Sequence, residues 1–122
     1  MPLITRFEDI HAWQQARKLT GQIYGITSSD RFSRDFGLRD QIQRAAVSSM
    51  SNIAEGFDCD SKLEFARFLG IARRSAVEVQ SLLYVALDVR YINQQLFDLN
   101  FDQARKTQAL IGGFKHHLNQ RA

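Results

Sequence analysis

Apolar residues recur at three- and four-residue intervals along nearly the whole chain, the spacing that gathers them on one face of an α-helix. Four such segments are predicted. The first, residues 9–28, starts at Asp9, whose carboxylate is placed to cap it, and aligns Ile10, Trp13, Ala16, Thr20, Ile23, Tyr24 and Thr27. Ser28, Ser29 and Asp30 break it, and the polar segment from Arg31 to Phe36 reads as a loop. The second helix, residues 37–56, carries Leu38, Ile42, Ala45, Ala46, Met50 and Ile53, with Gly56 as a C-terminal stop. Ser61 and Glu64 form a capping box for the third, residues 61–90, whose apolar face runs from Phe65 to Ala86. The fourth, residues 93–120, aligns Phe97, Phe101, Ala104, Ile111, Phe114 and Leu118, and Gly112-Gly113 within it calls for a kink or a close helix contact. No strand competes, and short connections favour antiparallel neighbours. The expected fold is all-α: one antiparallel up-down-up-down four-helix bundle spanning residues 1–122.

A second pattern overlies the second helix. Gln41, Arg44, Ser48, Asn52 and Glu55 stack in a narrow stripe beside the apolar face. Ser and Asn are weak helix formers that compete for backbone hydrogen bonds, so a solvated face would more commonly carry Lys and Glu. The stripe is expected to be largely buried in a polar network across helices or subunits, joined by Arg67, Ser75 and Glu78 of the third helix.

Those residues also carry a family resemblance. Gln41-Ile42, Arg44-Ala45-Ala46, Ser48, Asn52-Ile53-Ala54-Glu55-Gly56, Glu64-Phe65, Arg67-Phe68-Leu69, Ile71-Ala72, Ser75 and Glu78 match a recurring signature, and Phe7-Glu8-Asp9-Ile10, Trp13-Gln14 and Ala16-Arg17 match its opening. The chain resembles the four-helix-bundle proteins encoded by intervening sequences in bacterial 23S ribosomal RNA genes, from Phe7 to about Tyr91. Where many members have a proline shortly before the Asn-Ile-Ala-Glu-Gly segment, this chain has Ser49-Met50-Ser51, so nothing there imposes a proline kink. The resemblance, shared with the accessory proteins of diversity-generating retroelements, implies a cyclic homo-oligomer, a pentamer. It also implies association with RNA or DNA and with a reverse-transcriptase-like partner.

Composition excludes much else. At 122 residues the chain can bury a core without staples, and its one cysteine, Cys59, permits neither an intrachain disulfide nor a cysteine zinc cluster. Neither a secretory leader nor a membrane span is visible, so a cytoplasmic protein is expected. Catalytic chemistry has little support. His116 and His117 are adjacent, so they point about 100° apart and cannot chelate one metal as an i, i+4 pair can, and His11 lies far from them in sequence. Glu55, Glu64 and Glu78 lack the histidine three residues on that di-iron bundles use. Ser48 and Ser75 have no general base in a predictable position, and Cys59 lies between Asp58 and Asp60, which oppose a thiolate. No enzyme, cofactor or metal site is expected.

Charge supplies the remaining clue. The net charge is +3 and the isoelectric point about 9.4. Twelve of the sixteen basic residues are arginine, the side chain that pairs bidentately with phosphate and stacks on bases. Arg31, Arg34, Arg39, Arg73 and Arg74 are the expected phosphate contacts, although Asp35 and Glu78 stand one turn from Arg39 and Arg74 as candidate ion-pair partners. The leading expectation is a non-enzymatic oligomeric scaffold for structured nucleic acid. The alternative is a protein-interaction module that uses Tyr24, Phe32, Phe36 and Phe57.

Overall fold

The computed structural model describes residues 3–120 and places all four periodic segments in helices close to their predicted bounds. A 3-10 turn, Phe7–Asp9, leads into α1, His11–Thr27. Asp9 does not cap α1, because the turn moves the N-cap position to Ile10, which is buried and has no side-chain acceptor. The segment expected to be a loop contains a short helix, α2, Asp30–Arg34, whose Phe32 is fully buried.

Asp35 then caps α3, Phe36–Phe57, by accepting from the Leu38 amide at 3.1 Å. Its second oxygen accepts from the Tyr91 hydroxyl at 2.9 Å, which holds that phenol above its usual range by favouring the protonated form. Ser61 caps α4, Lys62–Asp88, by accepting from the Glu64 amide at 3.2 Å. The reciprocal half of the capping box does not form, since the Glu64 carboxylate turns to Arg67 instead. Past the end of α4, Arg90 takes the left-handed conformation at φ 64°, while the Tyr91 and Arg90 amides return to the Ala86 and Leu87 carbonyls. Asn93 caps α5, Gln94–Gln120, through the Leu96 amide.

The helices pack in the order α1, α3, α4, α5 around the bundle, with α5 returning to α1, as up-down-up-down connectivity requires. One apolar cluster contains Leu19, Ile23, Phe32, Ile42, Leu83 and Phe97, and the other contains Ile10, Ala16, Ile53, Leu69 and Ile111. Among the described residues no helix is long and apolar enough to cross a membrane.

Gly56 does not stop α3. It lies inside the helix, where an added Cβ would sit 2.8 Å from both the Phe65 ring and the Phe68 Cβ of α4. The residue is therefore a contact point that lets α3 and α4 approach. Helix propensity favours Gly→Ala by up to about 1 kcal/mol, while overpacking against a Cβ that cannot rotate away costs about 1–3 kcal/mol. Gly56→Ala is accordingly expected to lower stability by up to about 2 kcal/mol. Gly21→Ala, with nothing within 4 Å, is expected to raise it by up to about 1 kcal/mol. Denaturant unfolding of the two variants checks both signs.

A buried polar ladder joins α1 to α5. Gln103 donates to the Gln15 backbone carbonyl and side-chain oxygen, both at 3.0 Å, and Thr107 donates to the same carbonyl at 3.3 Å. Gln22 donates to Asn100 at 3.3 Å, and Asn100, Gln103 and Thr107 are all buried. No buried side-chain polar atom among the described residues is left without a partner.

Candidate nucleic-acid interface

The polar stripe of α3 is only partly the network its composition suggests. Ser48 and Ser75 share a 2.8 Å hydroxyl contact, Ser75 donates to the Ile71 carbonyl, and Asn52 donates to both oxygens of Ser48 at 2.9 Å. Ser75 is buried, and Ser48 and Asn52 are half-buried. Gln41 reaches Glu78 at 3.3 Å and Arg67 reaches Glu64 at 3.3 Å, but all of these except the half-buried Glu64 are exposed. Arg44 and Glu55 are exposed too, and their side chains make no hydrogen bond or ion pair among the described residues. Within the single chain Gln41, Arg44, Glu55, Arg67 and Glu78 are exposed, so the helices of one chain do not supply the burial expected across helices or subunits. Helix periodicity places them beside the core face, at the edge of the α3–α4 contact, where water reaches them.

The five arginines divide into two groups. Arg34 pairs with Asp30 at 3.3 Å. Arg39 pairs with Asp40 at 3.0 Å rather than with Asp35, donates to the Ser33 carbonyl, and lies 4.8 Å over the Phe36 ring. Arg31 lies 5.4 Å over the Tyr91 ring. Arg31 and Arg39 tie α2 and its flanks to the end of the bundle, whereas the Arg34 pair is exposed and lies within α2 itself. Arg73 and Arg74, exposed near the middle of α4, take part in none of the five ion pairs among the described residues. The spacing that offered Glu78 to Arg74 produces no bridge; Arg74 turns toward Gly70, and Glu78 accepts from Gln41 of α3.

A third cation joins them from α5. A Cβ at the buried Gly70 would meet Lys115 Nζ at 3.2 Å and Arg74 Nη1 at 3.5 Å, so the two head groups converge over that glycine. A Cβ at Gly112 would meet Arg73 Nε at 3.4 Å and Cδ at 3.6 Å. The Arg73 side chain therefore lies along α5, where the Gln108 amide, turned with its oxygen toward the guanidinium, accepts from Nε at 3.3 Å and Nη2 at 3.0 Å. α5 runs through both glycines without a break, so a close contact at Gly112 replaces the kink. Neighbouring cations about 7 Å apart repel by about 0.6 kcal/mol per pair in water, and an anion set among them reverses that sign.

Other chemistry finds no comparable arrangement. Among the described residues no group of three or more His, Cys, Asp or Glu is placed to hold a metal ion. Cys59 is half-buried and donates to the Glu55 carbonyl. His11 and His117 border an apolar groove of about 650 Å³ whose walls include Phe57, Phe65 and Phe114. Of the aromatics considered for protein contacts, Tyr24 and Phe36 are exposed and Phe57 is half-buried, whereas Phe32 is a core residue.

The signature residues of α3 and α4 meet along one seam of this bundle, and the family model described as 23S rRNA-intervening sequence protein matches residues 8–113. The chain belongs to that family. Its fold is similar to the crystal structure of a protein of unknown function from the S23 ribosomal protein family of Bacteroides thetaiotaomicron. The TM-score is 0.77 at 20% sequence identity, covering 85% of this chain and 97% of that one. Comparison with curated proteins finds no match. The matched residues include the polar seam, while Lys115 lies beyond them.

Proposed function

We propose that this protein is a non-enzymatic, homo-oligomeric scaffold that binds structured nucleic acid through the cations of α4 and α5. The observation that carries the reading is the convergence of Arg74 and Lys115 over Gly70, with Arg73 lying on α5 at Gly112 and none of the three in an ion pair among the described residues. Three unpaired cations on adjoining helices match a run of phosphates better than any compact neutral ligand. A protomer of net charge +3 has a weak long-range field, and a ring repeats the cationic face around its circumference. The exposed polar stripe around Arg44, bordered by Tyr24 and Phe36, supports an interface between copies, with a pentamer as the assembly that the family resemblance implies. A nucleic-acid enzyme of the reverse-transcriptase kind is the protein partner such a scaffold would serve.

The test is a titration of an RNA stem-loop at two salt concentrations. Replacing Arg73 and Arg74 together by Ala is expected to weaken binding at least tenfold and to reduce the salt slope by about 1.4–1.8, for two lost phosphate contacts. Replacing Arg34 and Arg39 together by Ala is expected to change affinity far less, because Arg34 is already paired with Asp30 and Arg39 with Asp40 and the Ser33 carbonyl. An unaltered slope in the first variant contradicts the reading. It would favour a protein-interaction module built on Tyr24, Phe36 and the apolar groove beside Phe57.

A further inference from the structure

The cationic site continues toward an aromatic one. Arg73, Val77 and Tyr84 are four and seven residues apart, so they fall within a narrow sector of α4, with Arg73 and Tyr84 about 16 Å apart along the axis. Tyr84 packs against Phe97 at 4.9 Å and edge-on against Phe101 at 5.6 Å, while those two rings stack on each other at 5.2 Å. Its ring is thus braced from below by α5, yet the residue is 51% exposed, and its hydroxyl makes no hydrogen bond among the described residues. Val77, between the arginine and the tyrosine, is 42% exposed and adds an apolar floor. The α5 carboxylates near Phe97 and Phe101 are engaged, Asp98 by Gln94 and Asp102 by Arg105.

We infer that this face takes an unpaired segment of the nucleic acid, with a base stacked on Tyr84 and phosphates farther along the same strand on Arg73, Arg74 and Lys115. The inference rests on the function proposed above and narrows its ligand from structured nucleic acid to the unpaired stretches within it. A cationic track beside a fixed, half-exposed aromatic ring suits single strands, because only unstacked bases can offer a face to the ring. The paired bases of a duplex are already stacked, which leaves Tyr84 unused.

The experiment compares a fluorescent 12-nucleotide oligouridylate with an RNA duplex of the same length. The proteins are wild type, Tyr84→Phe, Tyr84→Leu, Tyr84→Ala and the Arg73→Ala, Arg74→Ala pair. Wild type is expected to bind the single strand at least tenfold more tightly than the duplex. Tyr84→Phe retains that affinity, while Tyr84→Leu, which keeps apolar packing on Phe97 and Phe101, and Tyr84→Ala lose roughly 5- to 100-fold with an unchanged salt slope. The arginine pair lowers the slope on both ligands. Equal single-strand affinity in wild type and Tyr84→Leu, or equal affinity for both ligands, overturns the stacking inference while leaving the phosphate reading in place. Absence of binding to either oligonucleotide by wild type ends both. Tyr84→Ala and Tyr84→Leu proteins of reduced oligomeric mass, with wild type binding neither ligand, would assign the face to a second copy.

Discussion

Phe32→Ala is expected to lower the stability of the protein by about 3–5 kcal/mol, the largest loss for any single truncation discussed. The five-residue helix that carries Phe32 is too short to persist on its own in water. It is held by this fully buried ring, which meets Tyr91 at 5.2 Å, and by the Arg31 guanidinium over the ring of the same tyrosine. Asp35 closes the arrangement by capping α3 and accepting from the Tyr91 hydroxyl. Removing the ring leaves a cavity between α2 and the core and loosens the entry into α3. A fall in midpoint temperature of roughly 10–20 °C follows for a chain of this size, and a change below a few degrees would show that α2 is an ornament of the surface.

Gln103→Ala is expected to lower stability by about 2–3 kcal/mol, and Asn52→Ala by less than about 1 kcal/mol. Gln103 is buried between α1 and α5, and its truncation removes two hydrogen bonds to Gln15 and leaves a void that neighbouring helices cannot fill. Asn52 is half-buried and bonds within its own helix, and Ser48 keeps Ser75 as a partner when Asn52 is gone. Paired thermal melts of the two variant proteins check the order. A greater loss at Asn52 would place the stability-bearing polar network on α3 after all, or in an interface formed by it.

The periodicity of apolar residues sufficed for the four long helices, because burial of one face per helix is a local pattern that the chain displays openly. What it hid depends on partners distant in sequence. Gly56 looks like a helix terminator, yet its small size matters because Phe65 and Phe68 return against it from α4. Asn100, Gln103 and Thr107 look like solvated positions, since nothing local shows that Gln15 and Gln22 will face them. Phe32 is surrounded by charged and small polar residues, and five residues are too few for a helical period to emerge. Arginine clustering pointed to five candidates, but sequence could not separate Arg31, Arg34 and Arg39, occupied at the α2 end, from Arg73 and Arg74, nor add Lys115 from α5.

The most direct test of the scaffold is to measure oligomeric mass by light scattering on nuclease-treated protein and to titrate the same sample with RNA and DNA at low and physiological salt. The account predicts a cyclic homo-oligomer whose affinity is sequence-tolerant and falls steeply with ionic strength, with the steepness set by the number of phosphates engaged. A monomer that binds equally well, or an oligomer that binds neither nucleic acid at low salt, would contradict it.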